Sequence, residues 1–414
     1  MGDSAPPILV GMSEGSGRRA ARSTSPSRGR VLDLVRTRAP ISRVELAELT
    51  GLTQAAISHA VRALIDDGLL VETDQRTYTG GKPRVLLSLN PRARCGIGVQ
   101  LGADWIVLVL ADAAGQVVAR ARLRGARERD PAEVVADIAT ELDVLLRAAA
   151  VEPAAVVGIG VVAPGALDLE RGAILVSRSL ERWQGFGLRD ALATATGLPV
   201  LLDNDATAAA VGEFWSGRIA GSLAHCTLYM GASIGAGIVV GGSVYRGASS
   251  NTGPLGRMRL RGPDAGTVED LAGPRAVAAR VRAALADGRT STVRLSADHD
   301  PFLDFTAVTT AAVHGDPLCH ELIEQSADYL ADAAITVANL LDLDSLVLAG
   351  PSFTTAGAIY LRTVQDRIAR EFFPAARHEV RVMLSGQVAD AAAVGAAALV
   401  LQEELAPRHL IARH

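Results

Sequence analysis

Residues 43–62 read RVELAELTGLTQAAISHAVR, and this stretch decides how the rest of the chain is interpreted. Ser42 precedes it and Glu45 stands three residues later, a spacing typical of a capping box that opens a helix. Gly51 stands where a sharp turn needs a positive φ, a conformation that costs glycine little. Thr53 is a suitable N-cap for a second helix. The pattern predicts a helix-turn-helix.

The second predicted helix has two contrasting faces. One face is an apolar stripe at helical spacing that we expect to be buried: Ile57, Ala60, Val61, Leu64 and Ile65. The other face carries small, hydrogen-bonding and cationic groups, which suit the major groove of DNA. The candidates for DNA contact on this face are Gln54, Ala55, Ser58, His59 and Arg62. The alternative is an ordinary helical hairpin with a solvated face.

The sequence that follows disfavours this alternative. Residues 69–90 read LLVETDQRTYTGGKPRVLLSLN, a pattern of strand, glycine-rich tip and second strand. It predicts a wing, a β-hairpin whose basic tip contacts the DNA backbone or minor groove. Gly81, Lys82 and Arg84 are the candidate contacts, with Gly80 beside them, and Lys82 is the single lysine of the chain.

Composition restricts the class of protein. The chain has 414 residues, 49% of them hydrophobic and 4% aromatic, so two or three domains with a large Ala/Val/Leu core are expected. Residues 1–90 carry 12 basic and 9 acidic groups, whereas the rest carries 29 and 36. A mildly basic N-terminal part on an acidic body fits a DNA-binding module carried by a separate domain.

Cysteine usage and hydropathy bear on the compartment. Cys95, Cys226 and Cys319 are far apart, form no metal-binding spacing, and are expected to be buried thiols in a reducing environment. No apolar run is long enough to span a bilayer, and the N-terminus has no hydrophobic signal region. We therefore expect a cytoplasmic protein without a membrane partner.

The chain divides into three predicted parts. Residues 1–27 are rich in Gly, Ser, Pro and Arg and are expected to be a disordered basic tail, either simply solvated or in nonspecific contact with phosphates. Residues 28–90 form the predicted winged module, whose first helix is expected at 30–38. Residues 95–414 form the predicted body.

The body shows a pattern that occurs twice. Residues 95–124 are predicted to be two strands joined by a turn at 113–115, and a helix is expected at 131–149. Further strands are expected at 156–162, 200–202, 224–229 and 379–384, with helices at 188–196, 267–287, 302–316, 317–342 and from 389. Strand hairpins that alternate with helices predict a two-lobed α/β body with a cleft between the lobes.

Five motifs, in this order, resemble those of the ROK family of repressors and sugar kinases. GIGVQLGAD (96–104) is similar to the first phosphate loop of the family, and GIGVVAPGALD (158–168) with RGAIL (171–175) to its sugar-side turn. LLDNDATAAAVGE (201–213) is similar to its catalytic motif, LYMGASIGAGIVVGGSVYRGAS (228–249) to its second phosphate loop, and LVLAGP (346–351) to its adenosine-side turn. The resemblance implies a winged helix-turn-helix followed by a two-lobed actin-like (ribonuclease-H-like) ROK domain.

Departures from the kinase pattern favour a regulator. Where the family's kinases have an aspartate that helps to hold Mg²⁺, this chain has Gln100, a neutral and poor magnesium ligand. Asp104 would place a negative charge where a γ-phosphate is cradled. The family's catalytic base is retained as Asp205, which is then expected to bind a ligand or to cap the following helix. We expect no catalytic residue, cofactor or metal.

The sugar-binding set implied by the resemblance is incomplete. The family's Gly-Glu-Leu-Gly-His is Gly253-Pro254-Leu255-Gly256-Arg257 here, and the cysteine-free residues 262–267 disfavour the family's structural zinc site. The predicted ligand contacts are Gly165, Asn204, Asp205, Arg257 and Glu269.

Two interpretations of this incomplete sugar-binding set remain open. The cleft binds a carbohydrate or related metabolite, with Arg257 favouring an anionic ligand such as a sugar phosphate. Alternatively the cleft has lost its ligand, the domain serves dimerisation or a protein partner, and Arg257 is a surface arginine.

The resemblance and the winged module together predict a transcriptional regulator, most simply a repressor. We expect a homodimer or homotetramer that binds an inverted repeat in double-stranded DNA through paired recognition helices. The rival hypothesis is an ATP-dependent hexose kinase with an appended DNA-binding module.

Overall fold

The structure is a computed structural model that describes residues 26–77, 84–262 and 265–405. Its helices are α1 (Pro26–Arg38), α2 (Arg43–Thr50), α3 (Gln54–Asp66), α4 (Pro131–Ala148), α5 (Leu188–Thr196), α6 (Asp205–Trp215), α7 (Val268–Ala272), α8 (Pro274–Ala286), α9 (Pro301–Val313), α10 (Pro317–Leu341), α11 (Gly357–Glu371) and α12 (Ala391–Leu405).

The strands of the N-terminal half are β1 (Ile41–Ser42), β2 (Leu70–Thr77), β3 (Arg84–Leu89), β4 (Cys95–Leu101), β5 (Trp105–Asp112), β6 (Val117–Arg124), β7 (Val156–Ala163), β8 (Ala166–Asp168), β9 (Ala173–Val176) and β10 (Val200–Asn204). Those of the C-terminal half are β11 (Ala224–Met230), β12 (Ile234–Val240), β13 (Ser243–Val244), β14 (Arg259–Leu260), β15 (Gly266–Thr267), β16 (Ser345–Ala349) and β17 (Arg381–Leu384).

The N-terminal module is a winged helix-turn-helix. Ser42 Oγ accepts a hydrogen bond from the Glu45 amide, and Glu45 Oε2 accepts one from the Ser42 amide at 2.8 Å, so the predicted capping box is confirmed. Gly51 ends α2 with φ 70°, and the Thr53 side chain caps α3. The first helix starts at Pro26, earlier than the predicted residue 30.

The wing consists of β2 and β3, which pair antiparallel. A third strand, which the sequence did not predict, completes the sheet because β1 pairs with β3, where Ile41 lies opposite Leu87. The predicted tip residues Gly80, Gly81 and Lys82 lie outside the described residues.

The first lobe is built on a five-stranded sheet of order β10-β7-β4-β5-β6. The prediction of two strands over residues 95–124 is wrong, because three antiparallel strands, β4, β5 and β6, occupy this stretch. The extra turn lies at residues 102–104, where a Cβ on Gly102 would stand 2.3 Å from the Trp105 carbonyl oxygen. The sequence gives little sign of a strand end here, since residues 102–104 only briefly interrupt two apolar runs.

The second lobe repeats this plan with a sheet of order β13-β12-β11-β16-β17. In each sheet a central strand pairs antiparallel with the next strand and parallel with a strand that follows a helix. The single helix predicted at 267–287 is two helices, α7 and α8, because Pro274 lacks an amide hydrogen and begins a new helix after Gly273.

The lobes meet where α6 crosses α12 with almost no side chain between the backbones. A Cβ on Gly395 would stand 1.8 Å from the Ala208 carbonyl oxygen, and a Cβ on Gly212 would stand 3.0 Å from Gly395 Cα. Helix α12 lies equally close to the first sheet, since a Cβ on Gly98 would stand 1.8 Å from the Ala393 carbonyl oxygen. Alanine and glycine in these helices therefore allow a close approach that larger residues would prevent.

The winged module packs on the first lobe through a shared apolar core. Val31 and Val35 of α1 belong to one buried cluster with Val109 of β5 and with Leu401 and Leu405 of α12.

In the three described segments, no helix is both long and apolar enough to cross a membrane. Cys95, Cys226 and Cys319 are free and buried, as predicted.

The α6–α12 contact yields a stability prediction. Gly395→Ala is expected to lower the free energy of unfolding by about 1–3 kcal/mol, since the added methyl group overlaps a backbone carbonyl and forces the helices apart. Urea unfolding at equilibrium measures the change. Gly29→Ala in α1 is the matched control, because a Cβ there meets nothing within 4 Å. Equal effects of the two substitutions would contradict the close contact.

Candidate functional site

The predicted DNA-contacting face of α3 is open to solvent. Gln54, Ala55, Ser58, His59 and Arg62 are all exposed, whereas Ile57, Ala60, Val61 and Leu64 are buried. The five exposed residues thus share one side of the helix. Arg84 is half-buried at the start of β3, and Gly81 and Lys82 lie outside the described residues. The sequence pattern alone was sufficient to separate the two faces of α3.

The five predicted ligand contacts lie around a single cleft of about 520 Å³ between the lobes. They are Gly165, Asn204, Asp205, Arg257 and Glu269. Gly165 lies just after β7 and Asn204 ends β10, whereas Arg257 and Glu269 belong to the second lobe. Gly165 and Asn204 are neighbours because β7 and β10 are adjacent parallel strands that end together.

One wall of the cleft is the N-terminus of α6. Asn204 caps this helix by accepting a hydrogen bond from the Ala206 amide at 3.0 Å, and its Nδ2 donates to the Gly165 carbonyl at 3.2 Å. Gly165 has φ 107°, and a Cβ there would stand 2.1 Å from the Val176 carbonyl oxygen, so the turn requires glycine. Asn204, rather than Asp205, is therefore the cap of α6.

Asp205 is a buried carboxyl group beside this cap. Only 8% of the residue is exposed, and its Oδ1 accepts a hydrogen bond from the Ala206 amide at 2.8 Å. Burial raises the pKa of Asp205 to about 7, against the opposing effect of backbone hydrogen bonds. Near neutral pH this group can therefore offer a ligand hydroxyl either a charged acceptor or a protonated carboxyl group.

The opposite wall combines acidic and basic side chains. Glu269 lies in α7, where its Oε1 is 3.7 Å from Arg178 Nη1. Arg257 is exposed at the cleft, and a hydrogen bond from Thr267, together with the charges of Arg178 and Arg257, lowers the pKa of Asp270. The wall can therefore bind hydroxyl groups through carboxylates and anionic groups through guanidinium groups.

Sequence reasoning missed several residues of the cleft. Arg178, Asp270 and Arg275 line it, and Asn251 holds the β8–β9 hairpin by exchanging hydrogen bonds with Leu167 at 2.7 and 3.0 Å. Asp203 forms a two-pronged ion pair with Arg246 at 2.7 and 3.1 Å, which ties the first sheet to the second lobe. The polar run Asp203-Asn204-Asp205 at the end of a strand indicated that Asp203 lies near the cleft. Nothing in the sequence indicated that Arg246 is its partner.

Gln100, in the stretch that resembles the family's first phosphate loop, contacts the other lobe. Gln100 Nε2 donates to the Tyr229 hydroxyl at 2.7 Å, a bond that links β4 of one lobe to β11 of the other. Tyr229 is 1% exposed, and burial followed by the charge of Asp205 keeps its pKa well above the ordinary value. An amide and a neutral phenol do not fit Mg²⁺, which prefers carboxylate and phosphate oxygens.

Asp104 is in a different state from the one predicted. Its carboxylate forms an ion pair with the guanidinium of Arg127. The charge expected to repel a γ-phosphate is therefore compensated by Arg127. Arg127 also lies over the ring of Phe302 in α9 of the second lobe, at 5.6 Å from the centroid.

Comparison with known proteins agrees with this architecture. The ROK family profile matches residues 96–403, and a winged helix-turn-helix DNA-binding profile matches residues 25–71. A crystal structure of a ROK family transcriptional regulator, described as a homolog of the E. coli Mlc protein, superposes with a TM-score of 0.72 at 25% identity and covers 92% of this chain and 96% of that one.

Curated relatives include both repressors and kinases. The putative xylose repressor of Caldicellulosiruptor sp. (strain Rt8B.4) is 28% identical over 88% of this chain and 93% of its own length. The glucokinase of Halalkalibacterium halodurans is 27% identical over 74% of this chain and 95% of its own length.

The fold is that of sugar-kinase-like proteins, preceded here by a DNA-binding module. The chain belongs to the ROK family, and it is a DNA-binding transcriptional regulator of that family.

The burial of Asp205 predicts a pH-dependent stability. The folded-state pKa of about 7 exceeds the ordinary value of 3.8, so the folded state binds the proton more tightly and loses stability as pH rises between these values. Asp205→Asn removes this effect. The free energy of unfolding of the variant, relative to the original protein, is expected to rise by a few kcal/mol, on the order of the pKa difference, from pH 4.5 to 8.

Urea unfolding at several pH values measures this difference. Any lost hydrogen bond of Asp205 adds a constant that does not vary with pH, so the slope isolates the titration. A difference that stays flat over this range would show that the carboxyl group is not desolvated.

Proposed function

We propose that the chain is a repressor whose affinity for its operator is controlled by a sugar or sugar derivative bound in the interlobe cleft, and that it does not phosphorylate this ligand. The observation that carries the proposal is a cleft lined by all five predicted ligand contacts, together with a neutral residue at position 100. Gln100 donates its hydrogen bond to the Tyr229 hydroxyl and, at the position where the family's kinases have a magnesium-binding aspartate, offers no carboxylate to the metal.

The proposed DNA contacts follow from the exposed face of α3. Gln54, Ser58, His59 and Arg62 are assigned to base edges or nearby phosphates, and Ala55 is small enough to allow close approach. Arg84, with Gly81 and Lys82, is assigned to the backbone or minor groove. A homodimer or homotetramer would place two such modules on an inverted repeat of double-stranded DNA.

The proposed effector contacts follow from the chemistry of the cleft. Asn204, Asp205 and Glu269 can hydrogen-bond neighbouring hydroxyl groups of a sugar, and Gly165 allows the ligand to approach the backbone. The name of the Caldicellulosiruptor relative suggests a pentose as the first candidate. Arg257 supports a second candidate, an anionic derivative such as a sugar phosphate, because a guanidinium binds phosphate in a fork geometry.

Arg62→Ala is expected to weaken binding to an operator selected from random duplexes by about 10–100-fold, the range for one arginine that contacts a base edge. Fluorescence anisotropy at fixed salt concentration measures the affinity. Arg362→Ala, which removes an exposed arginine from α11 of the second lobe, is the matched control and should change nothing. Unchanged affinity for Arg62→Ala would refute the assignment of α3.

A panel of neutral sugars, amino sugars and sugar phosphates is expected to contain a compound that raises the melting temperature, because a ligand bound only to the folded state stabilises it. Glu269→Gln and Asn204→Ala should abolish the shift. Arg257→Leu distinguishes the two candidates, since it should weaken a sugar phosphate but leave a neutral sugar bound. A flat panel would favour control by a protein partner.

The same panel with ATP and Mg²⁺ tests the kinase alternative. We expect no ADP above a blank without protein, because the position of the metal ligand is occupied by Gln100. Sugar-dependent ADP formation that is lost in Asp205→Asn would show that the chain is an enzyme.

A further inference from the structure

Helix α6 reaches from the cleft to the DNA-binding module. Its N-cap, Asn204, and its first residue, Asp205, line the cleft, and its last residue, Trp215, contacts α1. At about 1.5 Å per residue, its 11 residues separate these two ends by roughly 15 Å. One helix therefore contacts both the cleft and the winged module.

The contact at Trp215 is made by Arg36 of α1. The Arg36 guanidinium donates to the Trp215 carbonyl oxygen and lies over the indole, 4.2 Å from its centroid. An ion pair with Asp33 at 2.6 Å holds the guanidinium, and the Arg36 side chain is only 3% exposed. A cation at the C-terminus of a helix and over an indole face is doubly favourable, because both present negative partial charge.

Helix α6 is packed so tightly that a displacement of one end must move the residues packed against it. Gly212 lies against Gly395 of α12, and a Cβ on Gly237 of β12 would stand 2.2 Å from the Ala206 carbonyl oxygen. Trp215 is 3% exposed, and a Cβ on Gly115 would stand 2.7 Å from its indole ring. Backbones in direct contact leave no side chains to repack, so a displacement of α6 is passed on to its neighbours.

Helix α1 continues this chain of contacts to the recognition helix. Val31 and Val35 of α1 share a buried cluster with Ile57, Val61 and Leu64 of α3. A change in the position of α1 relative to the body therefore changes the position of α3.

We propose that α6 transmits occupancy of the cleft to the winged module, and that the contact between Arg36 and Trp215, beside the apolar core that α1 shares with the body, is the polar contact that couples the two. The proposal rests on the proposed function for the identity of the cleft as an effector site. A ligand that hydrogen-bonds Asn204 or Asp205 favours one position of α6. Operator affinity then changes by the ligand's differential binding to the two arrangements. Arg36 is a positioning residue, since it lines neither the cleft nor the exposed face of α3.

The first test uses the full chain, an operator selected from random duplexes, and D-xylose, N-acetylglucosamine and their phosphates as probes. The bound sugar is expected to change operator affinity of the original protein by about 5–150-fold, the usual range of allosteric coupling, and that of Arg36→Met by less than about twofold. Calorimetry should show the same sugar affinity in both. Arg36→Lys, which keeps a cation at the helix terminus, should restore part of the response.

Arg38→Met is the matched control, because it removes an exposed arginine from the same helix and should keep the full response. A full sugar response in Arg36→Met would overturn the proposal. If none of the four probes binds the original protein, these sugars and their phosphates are excluded as effectors, and the second test decides the coupling by itself.

The second test needs neither ligand nor operator. Asp205→Asn changes the cleft end of α6, and amide hydrogen exchange is followed by mass spectrometry in residues 26–38. Exchange in this segment is expected to change by about fivefold, the low end of coupling energies, in the original background and not in the Arg36→Met background. No change in the original background, or the same change in both, would overturn the proposal.

Discussion

The direct backbone contact between α6 and α12 is the constraint on which the two-lobed body depends. Gly212 and Gly395 allow the helices to meet, and α12 in turn lies on β4 and β7 through the glycines of those strands. Since α6 also touches β12 of the second lobe, both sheets are held to one pair of helices. The cleft between the lobes is therefore formed at a junction that leaves no space for larger side chains, and its geometry depends on that junction.

The proposed distinction between a kinase and a regulator concerns a small part of this framework. The fold, the buried Asp205 and the capped N-terminus of α6 are compatible with both classes of protein. The proposed difference lies at Gln100, whose amide bonds to the Tyr229 hydroxyl. Under the proposed function, a neutral residue at this position disfavours Mg²⁺ while the polar groups of the cleft stay in place.

Much of the architecture could be predicted from the sequence because it depends on local signals. The caps at Ser42 and Thr53, the apolar stripe of α3 and the end of α5 at Thr196 are set by nearby residues, and the structure confirms them. The family resemblance supplied the order of the motifs. It also predicted that Gly165, Asn204 and Glu269 lie in one cleft, as they do in the structure. The division of residues 95–124 was wrong, because Gly102-Ala103-Asp104 was interpreted as part of a ligand-binding loop and not as the turn of a β-hairpin.

Partners that are distant in the chain could not be predicted. The ion pairs of Arg246 with Asp203 and of Arg127 with Asp104, and the contact of Arg36 with Trp215, join residues separated by 43, 23 and 179 positions. Arginine is common in this chain and carries the same charge everywhere, so its sequence position does not identify the acceptor. Only the folded chain decides which guanidinium groups remain available for a ligand.

The position of Trp215 gives the protein an intrinsic optical signal. The chain has three tryptophans, and their surroundings differ: Trp105 is 62% exposed, Trp183 is buried with its Nε1 donating to the Ala126 carbonyl, and Trp215 lies beneath a guanidinium. Separation of α1 from α6 would change the surroundings of Trp215 while leaving the hydrogen bond of Trp183 intact. The fluorescence emission of Trp215 thus reports whether the winged module is packed against α6, without an attached dye.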